Sequence, residues 1–300
     1  MENCIHKGKE ICTYDLKDNN NFYINDLVEE WKLAAAQGEL ICSDCGQRLY
    51  LAAGPIKEPY FAHYDKDKCI YANVSESEEL RKGKRLLYNL LKKSFPDREI
   101  RARYRMANGM YTTLYVLNPD DKDIAIDYRL QYNSIEKFNE RDEYYKEKQI
   151  ICIYVLGIDK NNHDKQISWY ENLVQKSSGL CVFINPWAEE IHLKKKYEYR
   201  IGVNRKVEYC NKSYSIEELA LNSEGEFQCD FKDLCIRLEE SIEEAKAIYR
   251  QSIRNKVNTE LPNNIRPDIL NTALDLIKEG EGHLVSERYM EYIVKNNLLS

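Results

Sequence analysis

The sequence lacks the features that mark membrane and secreted proteins. It contains no run of about 18 apolar residues, which is the length that a membrane-spanning helix needs. Its first residues, Met1-Glu2-Asn3-Cys4-Ile5-His6-Lys7, contain no apolar signal-peptide core. These absences predict a cytoplasmic protein that has no membrane partner.

Excess positive charge is also absent. The 300 residues include 44 Lys and Arg against 50 Asp and Glu, which gives a formal net charge of -6. That balance argues against general coating of nucleic acid, although it leaves room for a local basic site. No internal repeat is visible either, and the length fits two or three domains.

Ten cysteines in a cytosolic chain predict metal ligands and small core residues rather than disulfide bonds. The spacing C-x2-C-x17-H-x5-C is formed by Cys42, Cys45, His63 and Cys69. Two thiolates with two residues between them can hold one ion, and three sulfurs with one nitrogen suit tetrahedral zinc. The pattern therefore predicts a closed, structural zinc site. The alternatives to His63 or Cys69 are three residues near the N-terminus: Cys4, His6 and Cys12.

The next helix carries candidate acids. Ser75 and Glu78 have the spacing of a capping box, and an apolar stripe continues from there. Glu76, Glu79 and Gly83 are expected on one face of this helix. The two glutamates are explained either by cap and macrodipole chemistry or by a metal site, and a mid-helix glycine suggests close approach of a backbone or of nucleic acid.

The segment from Arg81 to Arg105 is a local basic patch, because it holds ten Lys or Arg against two acids. Alternation along a strand places three of its arginines on one face, where they could meet a phosphate backbone. A solvated charged face is the alternative. The candidate nucleic-acid contacts are Arg81, Lys82, Arg101, Arg103 and Arg105.

The following elements predict an α/β core with a mixed sheet. Asp127 and Arg129 are expected on one face of a strand, opposite Tyr128. A continuous apolar run at 150–156 is typical of a buried central strand. After the basic strand the predicted elements are strands at 111–117 and 124–130, a helix from Ser134 to 146, and strands at 150–156 and 180–184.

Residues from about 40 to 160 resemble the competence protein CoiA-like family, which belongs to the restriction-endonuclease-like nucleases. The resemblance lies in the order of Cys42-x-x-Cys45-Gly46, Phe61-Ala62-His63, Glu76-Ser77 with Lys84, the paired strands, and Arg141 with Tyr145. It implies a restriction-endonuclease-like core that hydrolyses DNA with Mg²⁺ or Mn²⁺. In such a site the ion would lie on Glu76, Asp127 and Glu79, and phosphate would lie on Lys84, Arg129 and Arg141.

The catalytic positions depart from the family pattern. The histidine of the family's Glu-Ser-x-x-His motif is Leu80 here, the first-strand aspartate falls near Thr113, and Glu-x-Gln falls at Asp127-Tyr128-Arg129. A permanent guanidinium charge repels a metal and cannot act as a base. A second acid could come from Glu76, Glu79 or Asp123. Alternatively, a shifted register could place Arg129-Leu130-Gln131 at the position of Glu-x-Gln.

The rest of the chain predicts a β-hairpin near 191–216 and helices that begin near Phe231, Pro267 and Ser286. The apolar positions of the first of these helices fit a local bundle or a homodimer seam. The predicted domains are a zinc-ribbon-like module at 1–73, the core at 74–190, and a hairpin with a helical C-terminal extension at 191–300.

The sequence predicts a CoiA-like DNA-processing protein, either a metal-dependent nuclease or a degenerate nuclease that still binds DNA. The alternative is a non-catalytic partner or scaffold subunit of a bacterial DNA-processing or anti-phage defence complex, which rests on fold analogy. A zinc scaffold with no nucleic-acid role is a third possibility.

Overall fold

The computed structural model describes residues 1–18, 22–55, 58–65, 69, 76–119, 121–131, 133–158, 168–202, 204–257, 261–262 and 264–299, without the side chains of 253–257. The chain forms two compact units. The first comprises Met1–Leu193 with Lys212–Cys229, and the second comprises Lys194–Asn211 with Asp230–Ser300. The predicted metal module and the predicted α/β core therefore lie within one unit.

The first unit opens with a small module of short strands and one helix. Its elements are β1 (Asn3–His6), β2 (Lys9–Cys12), a 3-10 turn (Thr13–Leu16), α1 (Asn25–Ala36), β3 (Leu40–Ile41), β4 (Leu49–Ala52) and β5 (Tyr60–His63). Strands β2, β1 and β3 form an antiparallel sheet, and β4 pairs antiparallel with β5. Trp31 of α1 packs on Phe61 of β5, with ring centroids 5.9 Å apart. The buried stripe of α1 thus gives the module a core of its own.

A seven-stranded sheet follows, in the order β12-β11-β10-β9-β8-β7-β6. Its strands and connecting helices are α2 (Glu78–Ser94), β6 (Ile100–Arg105), β7 (Tyr111–Val116), β8 (Ile124–Arg129), α3 (Ile135–Glu147), β9 (Ile151–Gly157), α4 (Trp169–Ser178), β10 (Cys181–Asn185), β11 (Glu190–Ile201) and β12 (Asn204–Ser215). Strand β7 runs antiparallel to β6 and β8, whereas β8, β9 and β10 run parallel. The predicted mixed α/β architecture is confirmed.

Different helices cover the two faces of this sheet. A Cβ on Gly83 of α2 would lie 2.6 Å from the Tyr128 ring of β8, so α2 packs on the face that carries Tyr128. On the other face, Tyr145 of α3 joins Tyr154 of β9 in a buried aromatic cluster. Asp127 belongs to that second face, because side chains alternate along a strand. The glycine in the middle of α2 is explained by the Tyr128 ring and not by a ligand.

Buried polar contacts join the N-terminal module to α2. In each contact a side chain of α2 meets a carboxylate of the module: Lys84 with Glu2 at 2.7 Å, Arg85 with Glu58 at 3.1 Å, and Tyr88 with Asp15 at 2.7 Å. Such contacts fix the module on the helix, because a buried charge that lost its partner would be costly.

The second unit is mainly helical. It contains α5 (Phe231–Val257), α6 (Pro267–Lys278) and α7 (Glu287–Lys295), at the places where the sequence predicts helices. Leu270 and Leu274 of α6 pack with Ile293 of α7 in one buried cluster. Within the described residues, no helix has both the length and the apolar character that crossing a membrane requires.

The predicted start of α2 needs correction. The helix begins at Glu78, and the cap is Ser77, whose Oγ accepts a hydrogen bond from the Leu80 N–H at 3.2 Å. Ser75, the predicted cap, lies outside the described residues. Glu76 therefore precedes the helix and does not share a helical face with Glu79.

Candidate functional site

The predicted metal ligands converge in the first unit. The ligand atoms of Cys42, Cys45, His63 and Cys69 all lie within 4.8 Å of one another, and Cys45 Sγ lies 3.3 Å from His63 Nε2. Within the part of the chain that the structure describes, no other group of three or more His, Cys, Asp and Glu side chains converges in this way.

Local structure explains this convergence. A tight turn follows β3, in which Gly46 N–H donates to the Cys42 carbonyl at 2.9 Å. Gly46 has φ +71°, a left-handed conformation that glycine adopts without steric cost. The β4–β5 hairpin then pairs Leu49 with His63, so the imidazole returns beside the turn.

The chemistry of these four residues fits zinc. A tetrahedral Zn²⁺ with sulfur ligands at about 2.3 Å needs sulfurs about 3.8 Å apart, so a small closing movement completes the site. Burial lowers the pKa of His63, which keeps the imidazole neutral and able to bind a metal. Burial also raises the pKa of the Cys42 thiol to about 11, so binding of an ion must release protons. The cluster could therefore hold zinc, and its ligands would be the four residues that the sequence predicts.

The three alternative ligands have other surroundings. Cys4 is fully buried in the apolar core of the module, and Cys12 is buried at the end of β2. His6 Nε2 lies 3.1 Å from a carboxylate oxygen of Glu39. None of the three joins the converging group.

A buried lysine lies between two carboxylates on the α2 side of the sheet. Lys84 Nζ is 2.7 Å from Glu2 Oε1 and 2.5 Å from Glu76 Oε1. Burial opposes ionisation of Glu2, but the Lys84 ammonium outweighs it and lowers the pKa of Glu2 to about 2. Burial and the Glu2 charge raise the pKa of Glu76. Burial would lower the pKa of Lys84, but its two acidic partners raise it. We name Glu2, Lys84 and Glu76 the lysine cluster.

A buried aspartate lies between two arginines on the other side. Asp127, which is 2% exposed, accepts from Arg129 Nε at 2.8 Å on Oδ1, and its Oδ2 lies 3.1 Å from Arg141 Nε. Arg141 also donates from Nη1 to the Tyr111 carbonyl at 2.7 Å. Burial would lower the pKa of Arg141, but the Asp127 charge raises it. We name Asp127, Arg129 and Arg141 the arginine cluster.

The structure does not bring the predicted acids together. Glu76 and Glu79 lie on the α2 side of the sheet, whereas Asp127 lies on the α3 side. Glu79 faces Tyr128 instead, and burial together with the Glu79 charge raises the pKa of that phenol. Because the sheet separates the two sides, one divalent ion cannot bridge Glu76 and Asp127 in this fold.

The other positions of the expected catalytic site are also engaged elsewhere. Thr113 Oγ1 of β7 accepts from the Tyr128 N–H of β8 at 3.0 Å, so it links these two strands. Asp123 accepts from the Tyr115 hydroxyl and from the Asn118 N–H, both at 2.7 Å, in the turn before β8. For the alternative register, β8 ends at Arg129 and pairs Asp127 with Tyr154 of β9, so Leu130 and Gln131 follow the strand.

The five basic candidates divide into two groups. Arg101, Arg103 and Arg105 of β6 line one cleft, together with Tyr104 between them. Arg81 and Lys82 do not line it. Arg81 donates to the Glu76 carbonyl at 2.8 Å, and Lys82 Nζ lies 3.6 Å from Glu189.

Sequence reasoning missed two acids that hold basic side chains in place. Glu2 lies 82 residues before its partner Lys84, and no local pattern connects them. Asp44 lies between the first two cysteines and holds both Arg103 and Tyr111. The only available signal for Asp44 is a charged residue inside the Cys-x-x-Cys turn, which taken alone is weak.

Comparison with known proteins agrees with the metal site. Residues 25–72 match the family model described as competence protein CoiA, N-terminal domain, and this segment contains all four candidate ligands. No curated protein and no solved structure matches the chain. The match supports the predicted relationship to the CoiA family, with the N-terminal part of the chain similar to that family's N-terminal domain.

Proposed function

We propose that this chain is a CoiA-like nucleic-acid-binding protein, with DNA as its ligand, whose nuclease-like core does not hydrolyse phosphodiesters. The observation that carries the proposal is the arginine cluster. Both oxygens of Asp127 are held by guanidinium groups, and the acids at the start of α2 lie on the opposite face of the sheet.

Hydrolysis by nucleases of this kind needs a divalent cation between carboxylates, where the ion lowers the pKa of water and neutralises phosphate. Asp127 offers one carboxylate, and two permanent cations already neutralise it. A Mg²⁺ ion that approached Asp127 would have to displace Arg129 or Arg141 while being repelled by both. The buried site thus favours phosphate over metal.

The case for nucleic-acid binding has two supports. The order helix, three strands, helix, strand in α2 to β9 agrees with the restriction-endonuclease-like core that the resemblance implies. The arginines of β6 supply a local basic surface in a chain of net negative charge. A restriction-endonuclease-like scaffold that keeps its basic surface but has no two-carboxylate site would bind DNA without cutting it.

The test is a binding and cleavage assay on single-stranded and double-stranded DNA with Mg²⁺ or Mn²⁺. We expect affinity that falls as salt rises and no cleavage with either ion. Asp127→Ala is the control, with its folding checked by circular dichroism. Metal-dependent cleavage that disappears in Asp127→Ala would contradict the proposal and would make Asp127 a catalytic residue. Absence of salt-dependent binding would leave the zinc scaffold as the better description.

A partner or scaffold subunit is the second candidate. The observation that favours it is apolar exposure in the second unit, where Ile248 of α5 is 64% exposed and Val294 of α7 is 61% exposed. Sedimentation velocity of the chain and of Ile248→Ser would reveal a homodimer through these helices as a loss of dimer in the variant. A monomer at every concentration would remove the homodimer and leave only a different protein as the partner.

A further inference from the structure

A cleft lies between the metal-binding turn and strand β6 in the first unit. Its volume is about 180 Å³, and its walls include Arg101, Arg103, Arg105, Tyr111 and Asp44. Pockets that enclose a whole small molecule are usually larger, at about 300 Å³ or more. The cleft therefore has room for one small group of a larger ligand that continues outside it.

The charges of the cleft fit an anion. Arg105 is exposed and, among the residues that the structure describes, forms no ion pair. Arg101 pairs through Nε, with Glu99 at 2.7 Å and Glu10 at 3.9 Å, and its terminal nitrogens can meet a ligand. Arginine presents its donors in a planar fork that matches phosphate oxygens. One phosphate group between Arg101 and Arg105 would satisfy both side chains.

The acidic side chains in the cleft already have partners in its walls. Asp44 Oδ2 lies 2.7 Å from Arg103 Nη1, and its Oδ1 accepts from the Tyr111 hydroxyl at 2.9 Å. Glu10 accepts from the Asn3 amide at 2.6 Å on Oε1, and its Oε2 lies 3.9 Å from Arg101 Nε. These acids hold the walls in place and do not cancel the charge of Arg105.

Asp44 connects the cleft to the metal site. It stands between Cys42 and Cys45, so an ion that closes this turn also sets the position of the Asp44 carboxylate. Arg103, its partner, has φ +46°, an uncommon conformation for a residue with a side chain. The backbone therefore departs from regular strand geometry at Arg103, whose guanidinium meets Asp44 and lies 4.5 Å from the centre of the Tyr111 ring.

We propose that this cleft binds one phosphate group of a nucleic acid and that the metal-bound turn keeps the cleft assembled through Asp44. The inference rests on the proposed function, since it assigns the point of contact with the ligand. It adds a residue, Asp44, whose role is to position Arg103 and Tyr111 and not to touch the ligand. It also makes zinc a regulator of nucleic-acid affinity.

The first experiment measures binding of a labelled single-stranded oligonucleotide by zinc-loaded full chain over a salt series. Arg105→Gln should weaken binding about five- to tenfold, as expected for loss of one charged contact, and should reduce the salt slope by about 0.7. The matched control is Arg288→Gln, an exposed arginine of α7. If both variants bind like the parent protein, the cleft is not the phosphate site, although the proposed function stands because DNA is still bound.

The second experiment uses Asp44→Asn, which leaves all four candidate ligands intact. Simple electrostatics predicts tighter DNA binding when an acid is removed from a basic cleft. A positioning role predicts the reverse, a loss of about five- to tenfold, at an unchanged zinc content by elemental analysis. Tighter or unchanged binding in zinc-loaded Asp44→Asn would overturn the role of Asp44.

The third experiment tests the link to the metal. Coupling between two ligands is reciprocal, so DNA must tighten zinc binding by the same factor by which zinc tightens DNA binding. Competition with a zinc chelator should show this tightening with single-stranded DNA and much less of it in Asp44→Asn. Inorganic phosphate and a 5′-phosphorylated oligonucleotide, run beside an unphosphorylated one, separate a terminal phosphate from a backbone phosphodiester. Zinc affinity that ignores bound DNA would refute the coupling.

Discussion

The two charged clusters of the first unit are opposite in sign and lie on opposite faces of one sheet. In the lysine cluster a cation lies between two carboxylates, and in the arginine cluster a carboxylate lies between two cations. The first therefore keeps an excess negative charge and the second an excess positive charge. Each satisfies its own central group, which is why neither resembles an open site for a divalent ion.

The clusters differ in their access to water. Lys84 and Glu2 are both buried, so little solvent could replace either of them, although 24% of the Glu76 side chain is exposed. The Arg129 side chain is 30% exposed and can turn toward water. The lysine cluster should therefore contribute more to stability, because it joins the N-terminal module to α2, whereas the arginine cluster is better placed to meet a ligand.

The largest expected effect comes from removing the central cation. Lys84→Met keeps the length of the side chain but leaves the buried Glu2 carboxylate beside the half-buried Glu76 carboxylate without the cation between them. We expect a loss of about 3 to 5 kcal/mol in the free energy of unfolding at pH 8. The carboxyl pKa values should then rise, so the loss should be smaller at pH 5, where protonation relieves it. Denaturant unfolding at both pH values measures this.

The control for that variant is Lys137→Met, at an exposed lysine of α3. We expect it to change stability by less than about 0.5 kcal/mol. If Lys84→Met unfolds no more easily than this control at pH 8, the lysine cluster does not hold the module on α2.

A fall in pH should weaken the lysine cluster before the arginine cluster. The pKa of Glu2 is about 2, compared with an ordinary value of 4.5, so its stabilising effect is complete above pH 4.5 and is lost as pH falls toward 2. The advantage of the parent protein over Glu2→Gln should shrink by roughly 3 kcal/mol across that range. Glu76, whose pKa is raised, acts in the opposite direction. The control variant is Glu140→Gln, at a water-exposed glutamate of α3. An advantage that is constant from pH 6 to pH 3 would exclude a lowered pKa for Glu2.

Local patterns predicted the elements of this molecule well. The ligand spacing found the converging Cys and His residues because a tight turn and a short hairpin place three of the four within one local structure. The capping serine predicted the start of α3, where Ser134 Oγ accepts from the Lys137 N–H as expected. These features depend on neighbours in sequence, and their rules are those of short-range geometry.

The relation between α2 and β8 could not be predicted in the same way. Periodicity places Asp127 opposite Tyr128 on the strand, but it does not say which face α2 will cover. The face that α2 covers depends on how Gly83 packs against the Tyr128 ring, which is a contact between residues far apart in sequence. The same distance hides Glu2, the partner of Lys84. For this reason the sequence does not show that Glu76 and Asp127 lie on opposite faces of the sheet.

The smallest expected effect comes from the centre of the arginine cluster. Asp127→Asn keeps the shape of the side chain but leaves Arg129 and Arg141 without a counter-charge, and we expect a loss of about 1 to 3 kcal/mol. The loss should be smaller than in Lys84→Met because Arg129 can reach water. Unlike carboxylates, guanidinium groups cannot lose their charge by a modest change of pH. The deficit of Asp127→Asn should therefore be equal at pH 5 and pH 8, and Arg129→Gln should cost less than Asp127→Asn at both. Recovery of Asp127→Asn at the lower pH would show that a titrating acid, and not a pair of unneutralised arginines, dominates this side of the sheet.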